Sequence, residues 1–155
     1  MNRRNSIRFC KQRDKYSCGP IALLNIDKFY GERVTYADLP YYKKLVDCKA
    51  KSGTQINRMS DVLGRARRKG WPKTREFLSD GWSCLVFQTG DGIAGRPGHY
   101  SIVIQDRNGI YVLINHRRGK YASEHITWQE LYWLWKKANR IWYVETPILM
   151  EGKHG

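Results

Sequence analysis

The run Gln12-Arg13-Asp14-Lys15-Tyr16-Ser17-Cys18-Gly19-Pro20-Ile21-Ala22-Leu23-Leu24-Asn25 passes from a polar, charged segment into an apolar helical stretch, with a cysteine at the junction. Backbone N–H groups at a helix N-terminus are unpaired and the dipole there is positive, so a sulfur in this place is expected to ionise below the usual thiol range. Pro20 suits the first helical position because the N–H it lacks would have gone unpaired. Gly19 removes a Cβ next to the sulfur, giving a substrate carbonyl room to approach. The competing reading of Cys18 is a buried, inert cysteine at a helix start.

Outward from this point, the first helix is expected from about Pro20 to Tyr30, with Gly31 as its stop. Thr35 to Asp38 reads as a short capping box, and Pro40 limits the helix that follows. After Gly53, the residues Ile56, Met59, Val62, Leu63 and Ala66 recur at helical spacing, predicting a helix that runs on toward Gly70. The second half changes character. Ser83 to Gln88, Tyr100 to Gln105, Tyr111 to Asn115 and Ile141 to Glu145 are β-branched and aromatic runs that read as strands. Asp106-Arg107-Asn108-Gly109 reads as a hairpin turn between the middle two, with Asp106 as a solvated cap. Thr127 and Glu130 cap a Trp/Leu-rich helix that reaches Ala138. Helices followed by an antiparallel sheet with one inserted helix make the fold class α+β.

The chain has 155 residues, which fits a single domain spanning 1–155. No apolar run approaches the roughly 20 residues of a membrane span, and Met1 to Asn5 lacks the apolar centre of a signal peptide. The expected location is therefore the cytoplasm of its cell or, for a phage-encoded chain, of the host. The four cysteines (Cys10, Cys18, Cys48, Cys84) are irregularly spaced with no CxxC pair, so neither a disulfide framework nor a metal or cofactor site is expected. Lys and Arg outnumber Asp and Glu by 28 to 14, for a net charge of +14. Such a balance favours acidic partners, either nucleic acid or an acidic protein substrate.

A cysteine nucleophile needs a base, and the base needs an acceptor on its other ring nitrogen. Of the four histidines, His99 opens an expected strand, and a turn centred on Arg107-Asn108 sets it roughly opposite the Asn115 to His116 end of the next strand. His116 alternates to the other face, while His125 and His154 read as loop and tail.

With these residues in place the chain resembles papain-like cysteine peptidases, specifically the bacteriocin-processing peptidases that cleave after a double-glycine leader. Gln12 to Asn25 is similar to their nucleophile motif, and Gly98-His99-Tyr100-Ser101-Ile102-Val103 to their histidine strand. Asn115-His116 with Gly119 stands where that family usually has Asp-Pro and a glycine. The resemblance covers about Gln12 to Trp135. It implies that Gln12 and the backbone N–H of Cys18 form an oxyanion hole, that Cys18 attacks, that His99 shuttles the proton, and that Asn115 accepts a hydrogen bond from the imidazole. Asn in place of Asp stabilises an imidazolium less than a carboxylate would, although papain itself uses Asn.

The leading expectation is a stand-alone cysteine peptidase acting on a peptide or protein substrate, with glycine near the cleaved bond or an acidic character. Acyl transfer to an amine would use the same acyl-enzyme. The alternative is a degenerate papain-like shell that binds nucleic acid or an acidic protein through Arg65, Arg67, Arg68 and Lys69 with Trp71, and Arg117, Arg118 and Lys120 with Tyr121.

Overall fold

The computed structural model describes residues 7–90, 98–115 and 122–149. Among these are helices α1 (Cys18–Phe29), α2 (Leu39–Leu45), α3 (Ile56–Leu63), α4 (Trp71–Ser79) and α5 (Trp128–Lys137). The strands are β1 (Cys84–Thr89), β2 (His99–Gln105), β3 (Tyr111–Ile114), β4 (Ser123–Ile126) and β5 (Arg140–Val144). They form one antiparallel sheet in the order β4-β3-β2-β1-β5, so the fold is α+β as expected.

The sheet separates two cores. Strand alternation sends Val86, Ile102, Ile114 and Trp142 to the face covered by α1, where they pack with Ile21, Leu24 and Met59. Leu85, Phe87, Val103 and Ile141 point the other way, against Leu78 of α4 and Leu131 and Leu134 of α5. Each such side chain contributes about 1.5–3 kcal/mol when fully buried. Only Lys28 of α1 is not buried, so this helix is the central element and its first residue, Cys18, starts within the core.

Several sequence expectations are corrected. Helix α1 begins at Cys18, two residues early. The carbonyl of Ser17 takes the first helical bond from the Ile21 N–H at 2.9 Å, and Pro20 still lies in the turn whose N–H groups have no helical acceptor. Helix α3 stops at Leu63 because Gly64 adopts φ +89, and residues 64–70 form neither helix nor strand, with the Arg67 N–H donating to the Ile141 carbonyl. Trp71-Pro72 then opens α4, which the sequence reading left out; Pro is compatible with a first turn. Strand β4 was also missed, and it places His125 on a strand instead of a loop. His116, His154 and the cluster from Arg117 to Tyr121 lie outside the described residues.

The Thr35/Asp38 and Thr127/Glu130 capping boxes both form as expected, and Asp106 accepts from the Asn108 and Ile110 N–H groups. The hairpin register pairs Gln105 with Tyr111 and Ile102 with Ile114, one residue longer than a turn centred on Arg107-Asn108.

Candidate active site

The segment before α1 is held by two asparagines. Asn25, buried on α1, grips Cys10 at both its N–H and its carbonyl, each at 2.8 Å. At the end of β3, Asn115 grips Gln12: its Oδ1 accepts from the Gln12 N–H at 2.9 Å and its Nδ2 donates to Gln12 Oε1 at 3.0 Å. The Gln12 amide then donates from Nε2 to the Asp14 carbonyl at 2.7 Å. This chain has only one polarity. A backbone N–H at one end can only donate and a carbonyl at the other can only accept, so both amide orientations are determined. Residue 115 sits at φ +54, a left-handed conformation in which Asn is enriched, and this turns its side chain inward at the strand end.

Asp14 organises the step into α1. Its carboxylate accepts from the Tyr16 and Ser17 N–H groups at 3.0 and 2.8 Å and from the Ser17 hydroxyl at 2.7 Å, with Lys43 at 3.7 Å. Partial burial raises its pKa, but these hydrogen bonds and Lys43 outweigh that and hold it below the usual carboxylate range. No expectation singled out this residue. The spacing Asp14 to Ser17 just ahead of a helix was the available signal.

Cys18 is 4% exposed. Its sulfur lies 4.0 Å from the Gly98 carbonyl, and the backbone N–H groups of Tyr100 and Gly19 are directed at it. The sulfur thus rests against the main chain on both sides of His99. The expected fall in pKa is corrected here: desolvation pushes the thiol up from 9.0 to about 11, overriding the Tyr100 and Gly19 N–H groups, which act in the opposite direction. At neutral pH the resting sulfur is a thiol.

Gly19 also has a different reason from the one expected. A Cβ on it would lie 2.8 Å from Oγ1 and 2.9 Å from Cβ of Thr54, so the glycine admits Thr54. Tyr100 of β2 fixes that same residue, its hydroxyl donating to the Thr54 carbonyl at 2.9 Å. Nothing in the local sequence at Thr54 pointed to this contact.

His99 is half-buried at the start of β2, and its Nε2 lies 2.6 Å from the backbone carbonyl of Asn115. Since a carbonyl only accepts, Nε2 carries the proton and Nδ1 of the neutral ring carries the basic lone pair. An acceptor on the far nitrogen was expected from Asn115. The structure supplies it from the main chain, because the Asn115 side chain is committed to Gln12. Gln12, Cys18, His99 and Asn115 therefore do converge on one locality, through contacts partly different from those anticipated. The cysteines Cys10, Cys18, Cys48 and Cys84 are all free.

No protein-family model matches the chain, and no curated protein does. Among solved structures, the fold is similar to the peptidase domain of Streptococcus ComA, a bifunctional ABC transporter involved in a quorum-sensing pathway. The TM-score is 0.61 at 17% identity, over 90% of this chain and 99% of that one. Among the described residues no helix is long and apolar enough to cross a membrane.

Proposed function

We propose that this protein is a cysteine peptidase in which Cys18 is the nucleophile and His99 the general base, acting in the cytoplasm on a peptide or isopeptide bond. The observation that carries this reading is the polar chain joining Gln12, Asn115 and His99 beside a sulfur at the start of the central helix. In the first step the Cys18 proton passes to Nδ1 of His99 as the sulfur adds to the substrate carbonyl. The resulting oxyanion is stabilised by the α1 N-terminus and the Gln12 amide. Collapse expels the amine, which takes the proton from the imidazolium. Water then hydrolyses the thioester with His99 again as base. Because the resting thiol is neutral, proton removal accompanies attack instead of preceding it. The fold shared with a peptidase domain supports this reading, and glycine at the cleaved bond follows from the family resemblance alone.

A second reading rests on the same sulfur: a 4% exposed thiol with a raised pKa suits a catalytically silent papain-like scaffold. Incubation with a peptide vinyl sulfone ending in Gly-Gly, followed by intact-mass and peptide mapping, separates the two. The peptidase reading expects a stable thioether on Cys18, formed by addition of the sulfur to the vinyl group, that is lost in Cys18→Ala and strongly reduced in His99→Ala. No adduct on Cys18, or one indifferent to His99, leaves the silent scaffold.

A further inference from the structure

The face of the sheet opposite Cys18 presents rings to solvent. Trp128 and Trp133 of α5 are 48% and 60% exposed, and with Trp71, Gln129 and Tyr132 they line an open cleft of about 580 Å³. The rings are held in place: Trp71 meets Tyr132 edge-on at 5.1 Å, Tyr132 stacks on Trp135 at 5.7 Å, and the Trp135 indole N–H donates to the Lys69 carbonyl. Cations sit over the same rings. Arg75 lies 5.6 Å from the Trp128 ring centre, Arg68 5.1 Å from that of Trp135, and Lys136 5.6 and 5.9 Å from those of Tyr132 and Trp133. Residues 65–76 and α5 together carry eight Lys or Arg and two carboxylates, one of which, Glu130, is engaged in capping α5.

We propose that this aromatic shelf binds single-stranded nucleic acid, with bases stacked on Trp128 and Trp133 and phosphates met by Arg68, Arg75 and Lys136. Flat, exposed rings interleaved with cations match the alternation of base and phosphate along an unpaired strand. An acidic peptide would satisfy the charge, but its backbone N–H and C=O groups need partners, and the cleft lining offers one side-chain amide, Gln129. A duplex hides the base faces that these rings would stack on. The inference does not depend on thiol chemistry, so Cys18→Ala leaves it intact.

The test is fluorescence anisotropy of a labelled single strand of about 16 nucleotides with the full chain, over about 50 to 200 mM salt. Trp128→Ala and Trp133→Ala are each expected to weaken binding roughly 5- to 150-fold with the salt slope unchanged. Trp133→Phe keeps a ring and retains most of the affinity. Arg75→Ala lowers the slope by about one, and Lys51→Ala, an exposed charge between α2 and α3, leaves affinity within about twofold. The proposal is overturned if no binding occurs at the lowest salt, if both Trp→Ala variants bind as wild type, or if a matched duplex binds as tightly. It is equally overturned if a glutamate-rich peptide displaces the strand at equal concentration through the same tryptophans, which would make the shelf a protein dock.

Discussion

The two faces of the sheet solve the placement of polar and aromatic groups in opposite ways. On the α1 face, Gln12, Asn25 and Asn115 are buried, and each side chain makes two hydrogen bonds of defined polarity around a nearly covered sulfur. On the α5 face, large rings that could have been buried are left in water beside cations. Buried amides cost stability when a partner is lost, whereas exposed rings cost little when removed. The first face is built to hold a few atoms still, and the second to present area. The most direct way to break this contrast is at the proposed base. His99→Ala is expected to lower peptide turnover by roughly 100- to 10,000-fold while leaving the α5 face and its ligand affinity unchanged, read by steady-state cleavage and anisotropy on one preparation. A deletion that slows both would show that the faces are not independent.

The state of the sulfur gives the next largest effect. A thiol pushed from 9.0 to about 11 holds roughly 100-fold less thiolate below pH 9 than an ordinary cysteine. In the resting protein, Cys18 is therefore expected to be alkylated after the half-buried Cys10 and Cys48, the reverse of what a helix-tip cysteine suggests from sequence. Its rate should keep rising with pH toward 11. Limited labelling with iodoacetamide followed by peptide mapping reads this directly; Cys18 modified first at pH 7 would mean that the sulfur is ionised by its neighbours despite burial.

This difference marks how far the residues could be read in advance. The α1 motif, the capping boxes and strands β1, β2, β3 and β5 were legible because each rests on local chemistry: a cap side chain, a glycine stop, or a β-branched run. Strand β4 was not, since Ser123, Glu124 and His125 are exposed at a sheet edge and carry no alternating apolar signal. Helix α4 was hidden because Gly70 reads as the stop of the preceding helix, when that helix ends at Leu63 and Gly70 stands at the N-cap of α4. At the site, the identities of Gln12, Cys18, His99 and Asn115 were legible, but two of their environments were not. Sequence cannot show that Asn115 offers His99 its carbonyl while its amide serves Gln12. Nor can it weigh desolvation against a helix N-terminus, which is a matter of what covers the sulfur.

The reciprocal pair offers a sharper probe of the buried face. Asn115→Ala removes both contacts to Gln12 and places a Cβ residue without a local hydrogen bond at φ +54. A loss of about 2–4 kcal/mol is expected from chemical denaturation. Asn115→Asp tests polarity instead of size. A carboxylate still accepts from the Gln12 N–H but cannot donate to Gln12 Oε1, so it is expected to be less stable than wild type at neutral pH and to recover as acid protonates it. If Asp at 115 stabilised the protein at pH 7, the assigned direction of the amide chain would be reversed.

On the exposed face the expected effect is the smallest, and its smallness is the point. Trp133 is 60% exposed and its neighbours Leu131 and Leu134, not its own ring, fill the core beneath α5. Trp133→Ala should therefore shift unfolding free energy by no more than about 0.5 kcal/mol, while Leu131→Ala, two positions away and fully buried, costs about 2–5 kcal/mol. Parallel denaturant titrations of the two variants decide it. A ring that can be removed without cost to the fold is available to a ligand, so its effect on binding can be read apart from its effect on stability. If Trp133→Ala instead cost as much as Leu131→Ala, the α5 face would belong to the core and the contrast between the two sides of the sheet would fail.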